Sequence, residues 1–396
     1  MNRLLNRMCE EYTLPQQFKE QGIYPYYTPI ESEQSTVVKI NGKDVLMFGS
    51  NSYLGLSNDP RLKEAAIAAI RKYGTSCSGS RFLNGTLDIH VELEEKLAKF
   101  LGKEDAVTYS TGMQVNLGVV SCLSSRDSYI LLDSLDHASI IDGSRLGFGK
   151  VMKFRHNDLE HLERRLRQCE PSNFKLIVID GIYSMEGDLA PLPQICDLCD
   201  MYNASVMVDD AHSLGVIGRN GRGTADYFGV TDRVDLIMGT FSKSFGSLGG
   251  FIAGDKEVLN VIRHTSRSLI FSASMPPANI AAASKALDIM LEEPERFDYL
   301  WKLTHYAHES FRNAGFDIGH TQSPIIPLFV RDTEKALAVV HHALEEGIFV
   351  TPVIAPAVPQ EDVLIRFALM ATHTYEQVDY AVEKLAKVFR QLGIMA

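Results

Sequence analysis

The stretch IMGTFSKSFGSLGGFIAG, residues 237–254, sets a single lysine, Lys243, among glycines and serines. Solvated helices use lysine freely, but they do not usually surround it with Gly and Ser. Glycine lets a backbone or a flat ligand approach closely. A lysine held in such a crowded turn is a candidate amine nucleophile, of the kind that forms a Schiff base with a carbonyl. The competing reading is an exposed loop lysine, and this stretch alone leaves both open.

Short apolar runs flank that turn and recur upstream of it. DAVTYS, YILLD, KLIVID, SVMVDDA, DLIMGTF and GGFIAG follow one another from residue 105, with helical patterns at 113–124, 158–168 and 191–202 between several of them. The alternation predicts an α/β domain with a mainly parallel central sheet. In such sheets ligands bind beyond the carboxyl ends of the strands, so functional residues are expected just after these runs.

Nearer the start, VVKINGKDVLMF (37–48) reads as two alternating segments around Asn41-Gly42, a hairpin signal. NDPRLKEAAIAAIRKYG (58–74) places Leu62, Ala65, Ala66, Ala69, Ile70 and Tyr73 at helical spacing, with Asn58 or Asp59 to cap it and Gly74 to end it. After MPPANI (275–280) a long helical run reaches Glu293, and further helical stretches alternate with short strands in SPIIPLFV and VLIRFAL. The organisation expected is an N-terminal arm and hairpin over 1–50, a large α/β domain over 51–285 and a smaller C-terminal α+β domain over 286–396.

Composition narrows the function classes. A hydrophobic share of 45% and a charged share of 22% are those of an ordinary globular protein. A net charge of −11 argues against nucleic-acid binding, and an anionic substrate would have to meet local positive charge. No apolar run is long enough to predict a membrane span. The first residues, MNRLLNRMCEEYTLPQQFKEQGIYPYY, are too charged and broken for a signal peptide and read as an amphipathic arm carrying Leu4, Leu5, Met8, Tyr12, Tyr26 and Tyr27. The arm is expected to pack on the chain's own body or on a partner subunit, with peripheral membrane contact as the lesser reading. Six irregularly spaced cysteines favour reduced thiols and a cytoplasmic setting. Cys196 and Cys199 form one CxxC inside a helical pattern, so two half-buried helix cysteines are expected rather than a metal site.

Four strand ends carry candidate chemistry. Ser110-Thr111-Gly112 precedes a helix beginning near Met113, and free amides at a helix start bind phosphate. The chain has no GxxxxGK, and no G-x-G-x-x-G follows its first strand, which weighs against a nucleotide fold. VMVDDAHSLG (206–215) runs a strand into Asp209, Asp210 and His212. Carboxylates there want partners, and one could face a protonated ring nitrogen, as pyridoxal phosphate requires. LLDSLDHASIIDGSRLG (131–147) places His137 after another strand, and IDGIYSMEGD (179–188) places Ser184 after a third, without the spacing of a nucleophile elbow.

The combination DHASIIDGSRLG, DGIYSMEGD, VDDAHSLGVIG and GTFSKS resembles the α-oxoamine synthases, pyridoxal-phosphate enzymes of the aspartate-aminotransferase-like fold, fold type I. The resemblance runs from FGSNSYLGLSNDP to IRFALMATHTYEQV. Within the family the chain is most similar to the bacterial serine palmitoyltransferases, through GSRFLNGTLDIHVELEEKLAKFLGKE, GTFSKSFGSLGGFIAG and FSASMPPA. It implies pyridoxal 5′-phosphate as cofactor. Lys243 would carry it as a Schiff base and shuttle the substrate Cα proton. Asp209 would pair with the pyridinium nitrogen, His137 would stack on the ring and help orient the substrate carboxylate, and His212, with Ser184 nearby, would bond the phenolic oxygen. Gly112 and Met113 amides and the Thr240 hydroxyl would hold the phosphate, with Ser272 or Ser274 reaching it from a neighbouring chain in a homodimer with shared sites. Asn51 would line the amino-acid pocket, and Arg366 would grip the substrate carboxylate.

The reaction so implied is the decarboxylating condensation of L-serine with palmitoyl-CoA, a long-chain acyl-CoA, giving 3-ketodihydrosphingosine. No metal is called for. Relatives in the family use acetyl, succinyl or pimeloyl donors. Glycine C-acetyltransferase and 8-amino-7-oxononanoate synthase are therefore the alternatives. A non-enzymatic scaffold subunit is a further alternative, which the presence of Lys243 disfavours.

Overall fold

The computed structural model describes residues 3–355 and 357–395. The chain forms two compact units. One comprises Asn51–Lys302 with Gln322–Pro324, and the other Met1–Ser50, Leu303–Thr321 and Ile325–Ala396. The sequence places its second boundary at residue 285, whereas the units part at Lys302, inside the helix Pro294–Asn313.

The unit that includes the N-terminal segment begins with helices Arg3–Glu11 and Leu14–Glu20. No residue of Arg3–Glu11 is buried. The expected hairpin follows, with β1 (Val37–Ile40) antiparallel to β2 (Lys43–Met47). Asn41 and Gly42 both have positive φ, +50° and +71°, as a two-residue primed turn requires.

The large unit holds a seven-stranded sheet. Its strands are β3 (Asp105–Tyr109), β4 (Tyr129–Asp133), β5 (Lys150–Phe154), β6 (Lys175–Asp180), β7 (Ser205–Asp209), β8 (Leu236–Thr240) and β9 (Gly250–Gly254). They lie in the order β3-β9-β8-β7-β6-β4-β5. Only β9 runs against the rest. β4, β6, β8 and β9 are buried along their whole length, as expected of strands covered on both faces. Val107, Ile130, Leu176, Met207 and Ile252 from five strands meet Val115 and Val119 of the helix Gly112–Cys122 in one core. β5 was not among the strand runs read from the sequence. It is an edge strand, mostly outside the core, and Lys150 and Lys153 interrupt its apolar pattern.

The expected helix at 58–74 spans Pro60–Tyr73, capped by the Asp59 carboxylate and ended at Gly74. Of its predicted apolar stripe only Leu62 and Ala69 are buried, and Ile70 is exposed. Cys196 and Cys199 sit in the helix Leu192–Tyr202 and are fully buried rather than half-buried. Burial pushes the Cys196 thiol up to about 11, so it is no ready metal ligand.

The remaining strands belong to the unit that includes the N-terminal segment. β10 (Ile325–Phe329), β12 (Thr351–Val353) and β13 (Leu364–Ala368) form one antiparallel sheet, and β11 (Ile348–Phe349) extends the hairpin in parallel with β2. Helices Thr333–Glu345 and Tyr375–Gln391 pack against each other beside them.

Candidate active site

Parallel register brings several strand ends of the large unit to one edge. Asp180 is the register partner of Asp209, and Asp209 of Met238 on β8. Beyond that edge lies a cavity of about 270 Å³. Lys243, Asp209, His137, His212, Thr240, Gly112 and Met113 all line it. These seven are residues that the sequence put forward, and the fold brings them together from four separate segments.

The turn carrying Lys243 is held by its own backbone. The Gly246 N–H donates to the Lys243 carbonyl at 3.0 Å, and the Ser247 N–H to the Phe241 carbonyl at 2.8 Å. Phe241 and Phe245 are buried against each other and pin the turn into the core. Lys243 between them is half-buried, which removes the exposed-loop reading. Thr240 Oγ1 donates to the Gly249 carbonyl at 3.0 Å.

The opposite wall is the start of the helix Gly112–Cys122. Thr111 caps it by accepting from the Gln114 N–H at 3.2 Å. The Gly112 and Met113 amides, in the first turn, have no acceptor within the helix. Glycine is required here by close approach: a Cβ on Gly112 would sit 2.9 Å from Thr240 Oγ1, and one on Gly250 would sit 2.8 Å from Gly112 Cα. Met113 and Leu248 leave apolar surface exposed at the rim, 51% and 48%.

A hydrogen-bond chain crosses the floor. Asn116 Nδ2 donates to Asp209 Oδ2 at 2.7 Å and to Ser139 Oγ at 2.9 Å. The Ser139 hydroxyl lies 2.6 Å from His137 Nδ1. The Ser139 N–H also donates to that nitrogen, at 3.2 Å, so Nδ1 is an acceptor and the ring proton belongs on Nε2. Asp209 receives a second donor, the Ala211 N–H, at 3.0 Å. His212 Nδ1 lies 2.7 Å from the Tyr53 hydroxyl, which also donates to Asn51 Oδ1 at 3.4 Å. Asn51 is thus tied to the cavity wall through Tyr53 without lining the cavity itself.

The other predicted residues lie elsewhere. Ser184 sits in the turn after β6 and is not among the lining residues. Ser272 Oγ accepts from Gln114 Nε2 at 2.7 Å, and the Ser274 hydroxyl is buried without a partner. Arg366 lies on β13 in the other unit and is buried, so it is not an arginine of a surface pair. Asn116, Ser139, Asp180, Tyr53 and Ser242 were missed. Asn116 carried one usable signal, a polar residue within the otherwise apolar helix that opens on Gly112.

A larger hollow of about 610 Å³ lies between Ile217 and Trp301. Its Arg219 and Asp226 are paired with each other at 3.3 Å, and its lining has no lysine, histidine or cysteine, so size does not make it the reactive site. Among the described residues one group of potential metal ligands gathers, His341, His342 and Glu345, on a helix of the other unit.

The chain belongs to the aminotransferase class I and II family, whose model matches residues 43–385. It is 57% identical over 392 residues to a serine palmitoyltransferase of Bacteroides thetaiotaomicron, covering 99% of this chain and 100% of the relative. It is 56% identical to the serine palmitoyltransferase of Sphingobacterium spiritivorum, over 98% of each. An 8-amino-7-oxononanoate synthase of Thermosipho melanesiensis is more distant, at 42% over 96% of this chain and 97% of the relative. The fold matches a high-resolution structure of SPT with the PLP internal aldimine at a TM-score of 0.96, with 34% identity over the whole of both chains.

Proposed function

We propose that the protein is a serine palmitoyltransferase, a pyridoxal-phosphate-dependent α-oxoamine synthase that condenses L-serine with a long-chain acyl-CoA and releases coenzyme A and carbon dioxide. The observation that carries the chemistry is the single cavity in which Lys243, Asp209 and an open helix start converge. The full-length likeness to serine palmitoyltransferases, with the oxononanoate synthases further away, supports the choice of substrates.

The cavity fits the cofactor part by part. The glycine at 112 leaves room where a Cβ would collide with Thr240, beside amides suited to a phosphate. Gly112, Met113 and Thr240 would hold that phosphate, and Lys243 Nζ would bind the aldehyde carbon. Asp209 would keep a proton on the ring nitrogen, His212 would bond the phenolic oxygen, and His137 would lie against the ring. When bound, the group supplies an electron sink for the pair left at the serine Cα.

The rest is done by the chain. Lys243 would hold and move the serine Cα proton. Arg366 grips the serine carboxylate with a planar fork. Asn51 contributes to the amino-acid pocket. Ser272 or Ser274 would complete the phosphate site of a second copy, which makes the working form a homodimer. The irregularly spaced cysteines support a cytoplasmic setting, and the N-terminal arm is the segment that would make peripheral membrane contact. Among the described residues no helix is long and apolar enough to cross a membrane.

Borohydride reduction followed by peptide mapping tests the assignment. The cofactor is expected on Lys243, and a mutant Lys243→Ala is expected to carry no reducible link. A link retained at another lysine would remove Lys243 from its role.

A further inference from the structure

Asp180 ends β6 beside Asp209, its register partner on β7. Neighbouring strands hold such residues about 5 Å apart and direct them to the same face. Both residues line the cavity, and both are buried, at 3% and 4% exposure. Their partners differ. Asp209 accepts from Asn116 and from the Ala211 N–H. Asp180 lies beside the His137 backbone N–H, and its Oδ1 is buried with no partner.

The charged groups that face Asp180 come from each neighbouring element. Asp133 and Asp136 lie at the end of β4, Asp209 on β7 and Lys243 in the turn after β8. The Asp180 N–H donates to Asp136 Oδ1 at 3.3 Å, and the other oxygen of Asp136 is also buried without a partner. Lys243 faces these acids directly, His156 is bonded to Asp133 at 3.0 Å, and the Tyr183 ring also faces Asp180, so acids outnumber cations here. A buried carboxylate lacking donors is strongly disfavoured as an ion, and adjacent carboxylates resist ionising together.

We propose that Asp180 is a positioning residue carried as a neutral carboxylic acid, anchoring the His137 turn and leaving Asp209 as the one carboxylate of the pair that faces the cofactor's ring nitrogen. The role rests on the pyridoxal-phosphate reading above, while the protonation rests on the buried geometry alone. Burial first, and then the charge of Asp209, push the Asp180 carboxyl well above the ordinary carboxylate range, with Lys243 opposing. Asparagine reproduces a neutral acid here: it keeps an oxygen to offer the His137 N–H and brings no charge.

Infrared difference spectra of the purified enzyme, parent minus Asp180→Asn at neutral pH, read the proton directly. The expected difference is a carboxylic-acid carbonyl band, present in the parent, shifted in heavy water and lost in the variant. Loss of carboxylate bands instead would overturn the proposal. Titration with pyridoxal phosphate, followed by its visible absorbance, then reads the positioning. Asp180→Asn is expected to bind within about threefold of the parent and Asp180→Ala about tenfold more weakly, the worth of one buried hydrogen bond. An asparagine variant as weak as the alanine one would overturn it. If the parent itself fails to bind pyridoxal phosphate, the functional reading falls, and the infrared result still decides the protonation of Asp180.

Discussion

Asn116 Nδ2 donates to Asp209 Oδ2 at 2.7 Å across 93 positions of sequence, and the same nitrogen donates to Ser139 Oγ. Through Ser139 the contact continues to His137. One helix residue thereby sets the orientation of the carboxylate and of the imidazole. In Asn116→Ala, Asp209 keeps only the Ala211 N–H, and cofactor affinity is expected to fall about tenfold with the far-ultraviolet circular dichroism unchanged. An unchanged affinity in absorbance titration would show that the chain of bonds does not support cofactor binding.

Gly112 gives a steric test of the phosphate cradle. A side chain there meets Thr240 Oγ1 at 2.9 Å and Met238 Cε at 3.1 Å. Thr240 is β-branched and has little rotamer freedom with which to give way. Gly112→Val is expected to weaken pyridoxal-phosphate binding at least about tenfold by displacing the first-turn amides. Pyridoxal, which lacks the phosphate, is expected to lose far less. Equal losses for both would place the phosphate elsewhere.

His156 bridges Asp133 at 3.0 Å and Asp188 at 2.9 Å, tying the end of β4 to the turn that carries Ser184. Burial works against its proton, but the bonds to Asp133 and Asp188 carry its pKa up to about 10. Its unfolded value is about 6.5. A folded pKa above the unfolded one means that the contribution is complete below about pH 6.5 and fades as pH rises toward about 10. His156→Ala is expected to lower unfolding free energy by about 2–4 kcal/mol at pH 6, because two carboxylates lose a charged donor. The deficit is expected to shrink as pH rises toward the folded value. Urea unfolding at both ends of this range checks it, and a deficit independent of pH would show that His156 is not held as a cation.

Much of this fold was legible because its signals are local. Asn41-Gly42 sets a hairpin by φ alone, and the sheet strands other than β5 announce themselves as short apolar runs. Lys243, Asp209, His137 and Thr240 could be singled out because each follows such a run. What stayed hidden depends on distances between remote segments. Nothing near Asn116 says that it meets Asp209, nothing near Tyr53 says that it meets His212, and Asp180 reads as an ordinary strand end until its neighbours are known. β5 escaped because lysines interrupt an edge strand, and the unit boundary escaped because Lys302 lies within a continuous helix. The identities of the substrates came from resemblance, since no local pattern encodes an acyl-chain length.

Arg366 supplies a test of substrate orientation. Charge-assisted contact with a carboxylate is worth about 1.5–3 kcal/mol. Arg366→Ala is therefore expected to weaken serine binding by about one to two orders of magnitude, and Arg366→Lys to recover only part of it. Cofactor binding is expected to survive both changes. Serine titration of the cofactor absorbance measures each effect, and an unaltered serine affinity in Arg366→Ala would take this arginine out of the site.

The central claim is the pairing of serine with a long-chain acyl donor, and a product panel tests it most directly. Purified protein loaded with pyridoxal phosphate is given serine, glycine or alanine, each with acetyl-, pimeloyl- or palmitoyl-CoA, and coenzyme A release and ketone products are measured. The account predicts that serine with palmitoyl-CoA gives the fastest turnover, with carbon dioxide released and 3-ketodihydrosphingosine identified by mass. Turnover with glycine and acetyl-CoA, or with alanine and pimeloyl-CoA, but none with serine and palmitoyl-CoA, would contradict it.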